Sequence, residues 1–450
     1  MNTAQPLSRQ HYLKGIAGLQ PHLAGRTLPW LARQRDLAIE AFETLAFPTR
    51  QMEAWRYSGA DKLLEHRFRP VAESFQALQD VDVDELQTEG LEAHRLVFAN
   101  GRFVPSLSSL KGLPEKVVIG SLHQALMNHS DQVATWLGSV AQADRDAFVA
   151  MNSAEMNDGL FVYVPDHLHI ERPIEVLYLT LGLEDAIVAQ PRNLVVLGQG
   201  ARATLIERYA STGSSMYFDN GLSEVILEQE AELDHVQLQQ QSRKAYHLHS
   251  RFVAQGAASR YRSTSFALGG GWARNETDLR FTAEGAEASL AGLFTAGDQQ
   301  LNDIHVNIDH AVPGCISHSN FKGLLHGKGR GVFDGRILVG AQAQHTEAHL
   351  SNANLMLSRN AEVDTKPQLE IYADNVKCSH GTTVGQLDES QLFYLRSRGV
   401  DAAQAKRLLC LGFAGEILDR CSITPLREVI ESELVAMLAG VDTSEYPQEA

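Results

Sequence analysis

The sequence predicts a mainly β protein, in which a right-handed parallel β-helix is flanked by N-terminal and C-terminal α-helical domains. Apolar residues recur at helical spacing from Leu7 to about Asp158. From Phe161 to about Pro367 they fall in short segments with a period of two, and no long helical pattern interrupts these segments. Helical spacing returns after Gly385. We therefore predict an N-terminal mainly helical domain at 1–158, a β-helix core at 159–385 and a C-terminal helical domain at 386–450.

The N-terminal domain shows the helical pattern most clearly in "WLARQRDLAIEAFETLAF" and "SLHQALMNHSDQVATWLGSVA". Between these segments lies the motif "FPTRQMEAWRYS", in which Pro48 interrupts the helix. The motif also carries Trp55 and Tyr57, whose side chains are large and amphipathic. We expect these aromatic side chains to anchor a loop to the hydrophobic core.

The predicted core consists of short β-branched and aliphatic segments such as "PIEVLYLTL", "NLVVLG" and "SEVILEQ". Small-residue turns that lead into a strand recur near residues 201, 231, 257, 286, 330 and 361. Their spacing is about 26–31 residues, except for one gap of about 44. Such recurrence is typical of stacked repeats, in which each unit buries its apolar face on its neighbours. The pattern favours a parallel β-helix, and a β-sandwich is the alternative.

Polar side chains gather on one face of two predicted strands. One set belongs to "HTEAH" and the other lies upstream of it: His345, Glu347 and His349 in the first, and His305, Asn307 and Asp309 in the second. Imidazole and carboxylate groups on one face can bind a transition metal. The other interpretation is a solvated polar ladder along the solenoid. "HTEAH" is also not the helical HExxH motif of zinc proteases.

The C-terminal domain is predicted to contain three helices. The first is capped by Asp388 and ends at Gly399, the second begins with the capping-box-like pair Asp401 and Gln404, and the third begins at Thr424 and ends at Gly440. The predicted apolar stripes are Ala405, Leu408, Leu409, Gly412, Phe413 and Ile417 in the second helix, and Leu426, Val429, Ile430, Leu434, Met437 and Leu438 in the third.

Two glycines within the second of these helices, Gly412 and Gly415, each cost about 1 kcal/mol against alanine. They therefore predict that another backbone approaches the helix closely. The face from Gly412 to Ile417 has two possible roles, packing inside the chain or docking of a partner, and both remain open.

Composition narrows the class of protein. The chain has 450 residues and a formal net charge of −16, which argues against a nucleic-acid surface. Four cysteines without CxxC spacing are too sparse for a disulfide framework, and the sequence carries no secretory signal. No apolar run approaches the length of a transmembrane helix. We expect a cytoplasmic protein without a membrane partner.

The stretch "YADNVKCSHGTTVG" places Cys378 and His380 two residues apart, where the β region meets the C-terminal helices. The two side chains could form a nucleophile and its base, a pair of metal ligands or part of a packed turn. A catalytic dyad would also need an orienting group and an oxyanion site, and no recognisable motif supplies either. Thiolate and imidazole are both competent iron ligands. Cys315, Cys410 and Cys421 are expected to be buried for packing.

The chain resembles the SufB/SufD family of iron–sulfur cluster assembly proteins. The resemblance rests on "FPTRQMEAWRYS", on the β-solenoid, on "YADNVKCSHGTTVGQLDESQLFYLRSRGV" and on "FAGEIL", which occur in the family's order along nearly the whole chain. The single cysteine in the third of these motifs favours the SufD branch. The resemblance implies a right-handed β-helix and a complex with a SufB paralogue and two copies of the SufC ATPase. SufB would pair with the β-helix region, and ATP binding would bring the SufC subunits together and strain the scaffold.

The resemblance also implies the roles of individual residues. His380 and Cys378 would contribute to a transient iron–sulfur cluster at the interface with SufB, and His380 is the stronger candidate. The C-terminal helices would dock SufC through Leu392, Tyr394, Leu395, Arg396, Arg398, Leu409, Phe413 and Ile417. The sequence lacks GxxxxGKS/T, so we expect that this chain binds no nucleotide and that ATP hydrolysis belongs to the partner.

Two functional classes follow from the sequence. The first is a non-catalytic scaffold subunit for ATP-driven cluster assembly, and this class allows a homodimer of the isolated chain. The second is a β-helix carbohydrate-active enzyme, a polysaccharide lyase or hydrolase, because a fold does not fix a function. The helical tail with "LRSRG" and the absence of a secretion signal favour the scaffold.

Overall fold

A computed structural model describes residues 4–71, 87–182 and 186–440 of the chain. The outer ends of the first and third predicted domains, residues 1 and 450, lie outside these ranges. The helices are α1 (Ala4–Leu19), α2 (Pro29–Thr44), α3 (Asp61–Leu64), α4 (Leu122–Asn128), α5 (Ser130–Trp136), α6 (Ala147–Glu155), α7 (Glu389–Ser397), α8 (Ala402–Leu418) and α9 (Thr424–Ala439).

Strands form the centre of the molecule. They are β1 (Arg69–Pro70), β2 (His94–Ala99), β3 (Arg102–Phe103), β4 (Val118–Ser121), β5 (Leu160–Val164), β6 (Ile174–Leu181), β7 (Ile187–Ala189), β8 (Arg192–Leu197), β9 (Arg202–Thr212), β10 (Tyr217–Leu227), β11 (Glu232–Gln239), β12 (Ala245–Gln255), β13 (Arg260–Ala267), β14 (Trp272–Phe281), β15 (Glu287–Ala296), β16 (Leu301–His310), β17 (Ile316–Leu325), β18 (Arg330–Val339), β19 (Glu347–Met356), β20 (Glu362–Ile371) and β21 (Lys377–Gly385).

The strands form a parallel β-solenoid, so the predicted fold class is confirmed. From β8 to β21, consecutive strands alternate between an 11-stranded sheet, called sheet A, and a 10-stranded sheet, called sheet B. Strands of neighbouring coils pair in parallel: Arg202 pairs with Glu232, Glu232 with Arg260, and Arg260 with Glu287. These coils are therefore 27 to 30 residues long. Strand β2 pairs with β6, so sheet B begins within the predicted N-terminal domain.

A column of small buried residues lies directly before the strands of sheet B. Its members are Ala201, Ala231, Ser259, Ala286 and Cys315, each fully buried. The predicted turns near 330 and 361 lead instead into β18 and β20 of sheet A. The gap of about 44 residues thus joins two series of turns, and Cys315 fills the position that the sequence pattern missed. Cys315 is buried for packing, as predicted.

Helices cover the outer faces of both sheets. The C-terminal helices pack on the outer face of sheet B, where apolar residues of α8 and α9 join a cluster with side chains of β9, β11, β15 and β17. The N-terminal helices pack on sheet A, in a cluster that includes Trp55 and Trp272. The rings of these two tryptophans are stacked with centroids 6.4 Å apart, so Trp55 anchors its loop as predicted. Within the described ranges, no helix is long and apolar enough to cross a membrane.

One buried histidine should make folding stability depend on pH. His310 is fully buried, and its Nε2 lies 2.8 Å from the hydroxyl of Ser317. Burial lowers the pKa of His310 from 6.5 to about 4. Between these two pH values the unfolded chain binds a proton at His310 that the folded chain excludes. The contribution of His310 to the free energy of unfolding is therefore fully present above pH 6.5 and is lost as the pH decreases.

The free energy of unfolding of the wild type should fall between pH 7.5 and pH 5, and that of His310→Gln should fall by about 2 kcal/mol less. Glutamine does not titrate, and it retains a polar group that can bond to Ser317. Urea unfolding of both proteins at the two pH values measures the difference. Equal pH dependence in the two proteins would show that His310 does not titrate on unfolding in this range.

Candidate functional site

Cys378 and His380 lie on β21, the last strand of the solenoid. In the register of sheet B, Cys378 pairs with Ala348 and His380 with Leu350. Both partners are buried in the cluster that fills the interior of the solenoid. Because side chains that pair in register point to the same face of a sheet, Cys378 and His380 both face the solenoid axis. The two side chains therefore share one face of β21.

The end of the solenoid leaves these inward-facing positions accessible. Leu350 is only 2% exposed, whereas His380, one coil further along, is exposed and Cys378 is half-buried. Val384 of β21 and Ile371 of β20 are 52% and 41% exposed. The cause is that no further coil covers them in the described part of the chain. The inward faces of β20 and β21 together form a surface that we call the open end.

The open end also presents backbone edges. Strand β20 pairs with β18, and strand β21 pairs with β19; among the described residues, neither has a second partner strand. The two strands are linked across the axis by the hydroxyls of Thr365 and Thr382, which lie 3.0 Å apart. Free N–H and C=O groups along such edges are a template for pairing with another chain.

The chemistry of Cys378 does not suit a nucleophile acting alone. Burial raises the pKa of its thiol, so the thiol is protonated at neutral pH. No hydrogen bond joins Cys378 to His380. In the described residues, no group of three or more His, Cys, Asp and Glu side chains is arranged to hold a metal ion. The open end therefore offers up to two ligating side chains, fewer than the four cysteine ligands that hold a typical iron–sulfur cluster.

The other cysteines are buried within the chain. Burial raises the pKa of Cys410 to about 12 and also raises the pKa of Cys421. The Sγ of Cys421 donates to the backbone carbonyl of Ile423 at 3.7 Å. Both cysteines belong to the cluster between the C-terminal helices and sheet B, as expected for packing residues.

The predicted polar ladders differ from expectation in two places. His345 lies in a turn at a φ of 61°, and strand β19 begins only at Glu347, so His345 does not share the strand face of His349. His349 instead stacks on His318, with ring centroids 5.2 Å apart. The second ladder is not fully solvated either: His305 is buried, and its Nε2 lies 2.9 Å from Asp303.

The C-terminal helices are held on sheet B by Lys322 of β17. Its ammonium group lies 2.6 Å from Glu416, donates to the carbonyl of Phe413 at 3.0 Å and sits 4.7 Å from the centre of the Phe413 ring. Ile417 and Leu392 are buried in the same region. Packing inside the chain therefore explains why Ile417 and Leu392 are apolar. Phe413 is only partly buried by this packing.

The outer side of α7 and α8 is apolar and exposed. Phe393, Tyr394 and Leu408 are 73%, 58% and 46% exposed. The residues predicted to bind an ATPase differ in exposure. Tyr394, Arg396 and Arg398 are exposed, and Leu395, Leu409 and Phe413 are half-buried. Leu392 and Ile417 are buried. The sequence pattern placed Leu408 on the packed stripe and did not single out Phe393. We call Phe393, Tyr394 and Leu408 the exposed helical face.

No backbone of the described chain approaches Gly412 or Gly415 closely, and an approach by a partner's backbone stays a prediction. A Cβ atom added at either position would meet nothing within 4 Å among the described residues. These glycines therefore leave an accessible strip along α8 beside the exposed helical face.

Two family models place this β-solenoid in a class of proteins that assemble iron–sulfur clusters. The model described as "SUF system FeS cluster assembly, SufBD core domain" matches residues 180–413, and the model of the "SufBD protein N-terminal region" matches residues 7–176. The chain belongs to the SufBD family of iron–sulfur cluster assembly proteins. The predicted resemblance is confirmed, and nothing in the family match supports the carbohydrate-active alternative.

Similar proteins come from bacteria and a plant. An iron–sulfur cluster assembly SufBD family protein of Synechocystis is 33% identical over 88% of this chain and 89% of its own length. The iron–sulfur cluster assembly protein SufD of Escherichia coli is 31% identical over 87% of this chain and 90% of its own length. A chloroplastic protein of Arabidopsis thaliana is 28% identical over 91% and 86% of the two chains. The chain is therefore SufD-like.

Proposed function

We propose that this chain is a scaffold subunit that pairs with a SufB-type paralogue through its open end and there contributes His380 and Cys378 to a nascent iron–sulfur cluster. The observation that carries the proposal is the exposure of these inward-facing side chains at the last coil. The residues at the same positions one coil earlier, Ala348 and Leu350, are buried because a further coil covers them. A partner solenoid that pairs with β20 and β21 would cover the open end and supply the missing ligands.

An incomplete ligand set suits assembly, because a cluster that is assembled here must leave again. The imidazole of His380 would donate a nitrogen lone pair to iron or orient a thiolate of the partner. Cys378 would become a ligand after losing its proton, since iron binding favours the thiolate over the thiol. In this proposal the cluster is the cargo of the complex, and the chain performs no catalytic step itself.

The ATPase is proposed to dock on the exposed helical face. Aromatic side chains such as Phe393 and Tyr394 are enriched at the centres of protein interfaces. The guanidinium of Arg398 lies 5.2 Å from the centre of the Tyr394 ring, which orders both side chains on the surface. The glycines of α8 beside this face would allow a partner backbone to approach closely. The pairing edge would also support a homodimer of the isolated chain, in competition with the paralogue.

Co-purification tests this proposal. A tagged chain, expressed in its native host, should recover both an ATPase and a SufB-type paralogue. The double variant Phe393→Ser/Tyr394→Ser should reduce recovery of the ATPase at least about tenfold, because both exposed aromatic rings would be lost from the interface. Recovery of the paralogue should be unchanged, since the open end is on a different part of the chain.

Met127→Ser provides the matched control, because Met127 is 67% exposed on the N-terminal helix α4. This variant should retain both partners. Equal loss of the ATPase in the two variants, or full retention in both, would place the docking surface elsewhere. Absence of the paralogue from the wild-type preparation would contradict the proposed pairing.

A further inference from the structure

A cleft of about 350 Å³ lies between the N-terminal segment 50–62 and one edge of the solenoid. Its lining carries six cationic side chains and one carboxylate, that of Asp61. The cations are Arg50, Lys62, Arg243, Lys244, Lys328 and Arg330. The whole chain has the opposite balance, with 39 lysines and arginines against 55 aspartates and glutamates. The cleft is thus a concentration of positive charge in an acidic protein.

Stacked turns of the solenoid fix the backbone that carries Arg243 and Lys244. The amide of Gly270 donates to the carbonyl of Gln241, and the amide of Gly271 donates to that of Ala245, both at 2.9 Å. A Cβ atom at Gly271 would lie 2.2 Å from the carbonyl oxygen of Arg243. Glycine is therefore required where this turn packs against the loop that carries Arg243 and Lys244. Lys328 lies in the turn before β18, so cations from separate coils converge on the cleft.

Among the described residues, most of these cations have no carboxylate partner. Arg330 pairs with Glu362 at 3.0 Å, and Arg50 lies 3.9 Å from Asp61. The remaining four form no ion pair with any described residue: Lys62, Arg243, Lys244 and Lys328. All four are exposed and reach the same cleft. Like charges held together in this way repel one another, and a bound anion would relieve the repulsion.

We infer that the cleft binds a phosphate-bearing small molecule. Phosphate carries more than one negative charge and several acceptor oxygens, so one group can satisfy several lysine and arginine donors at once. The volume falls in the range of small-molecule sites, which often lie between structural units. The half-buried ring of Tyr246 forms part of the wall and can contact an organic portion of the ligand. This site is separate from the open end and does not depend on the proposed function.

Titration calorimetry of the full chain with three probes tests the inference. Inorganic phosphate, pyrophosphate and phenyl phosphate should each release heat at concentrations up to about 5 mM, and pyrophosphate should bind more tightly than phosphate because of its greater charge. Phenyl phosphate that binds more tightly than phosphate, with the gain lost in Tyr246→Leu, would identify an organic phosphate as the natural class. Equal affinity for these two probes would identify inorganic phosphate instead.

The double variant Arg243→Gln/Lys328→Gln should weaken pyrophosphate binding at least about tenfold. Both side chains are exposed, so a thermal melt without ligand should match that of the wild type. Lys14→Gln/Lys111→Gln removes the same charge from exposed positions that do not line the cleft and should leave binding unchanged. Lack of binding by all three probes, or equal weakening in the two double variants, would overturn the inference.

Discussion

Replacing His380 with alanine is expected to give a complete complex that carries no iron–sulfur cluster. Under the proposed function, the imidazole binds iron or orients a facing thiolate at the open end, and alanine offers no lone pair. His380 is exposed and lies at the end of the solenoid, so its removal should leave the fold intact. The visible absorbance of the complex and its iron content per complex measure the cluster after expression in the native host.

Two neighbouring variants separate the chemistry from a general disturbance of the strand. Ser379→Ala changes the residue beside His380. The hydroxyl of Ser379 lies 2.7 Å from Nδ1 of His349 on the outer face. His349→Ala removes the second of the two imidazoles of "HTEAH". Both complexes should retain a normal cluster content. A stable His380→Ala complex with normal iron and absorbance would exclude His380 from the assembly site and leave Cys378 as the candidate in this strand.

The fold could be predicted from the sequence because the alternation within strands and the recurrence of turns are both visible in short stretches of residues. Alternating apolar segments predicted the strands, and the small residues Ala201, Ala231 and Ala286 predicted the turns. The exact repeat was obscured because the two sheets have separate series of turns. At position 315 a cysteine takes the place of alanine, which hid one member of the series until the register of β15 and β17 was known.

The candidate site was only partly predictable, since its main property is the absence of a neighbour. The spacing of Cys378 and His380 predicts a shared face, but their exposure depends on β21 being the last strand. Contacts between distant segments were not predictable at all. Glu207, His235 and Arg251 meet inside the solenoid, with the Glu207 carboxylate 2.8 Å from His235 and 3.1 Å from Arg251, although they come from three different strands.

The junction between the N-terminal motif and the solenoid is another such contact. Arg274 of β14 places its guanidinium 3.8 Å from the centre of the Trp55 ring and donates to Ser58 at 2.9 Å. It also pairs with Asp303 and Glu276, each at 2.6 Å. All three charged side chains are nearly or fully buried. Thus "FPTRQMEAWRYS" is explained by a structural role, because two of its side chains contact a buried ion-pair network of sheet A.

The charges of this network depend on one another. Burial alone would raise the pKa of Glu276, but Arg145 and Arg274 hold it below its ordinary value. Burial acts in the same direction on Asp303, and His305 and Arg274 together lower the pKa of that carboxyl. Because both folded-state pKa values are depressed, the two carboxylates contribute stability above their unfolded values of 4.5 and 3.8, and this contribution is lost as the pH falls further.

Arg274→Ala is therefore expected to lower the free energy of unfolding by about 3–5 kcal/mol at pH 7, because it leaves two buried carboxylates without their common partner. The loss of stability should decrease towards pH 4, where protonation of Glu276 and Asp303 removes the negative charge that Arg274 balances in the wild type. Urea unfolding of the wild type and the variant at pH 7 and pH 4 measures this loss of free energy. Arg262→Ala is the matched control: Arg262 pairs with Asp234 but its side chain is 50% exposed, so the loss should be below about 1 kcal/mol. If Arg274→Ala were no more destabilising than this control, the ion pairs would not hold the N-terminal motif on sheet A.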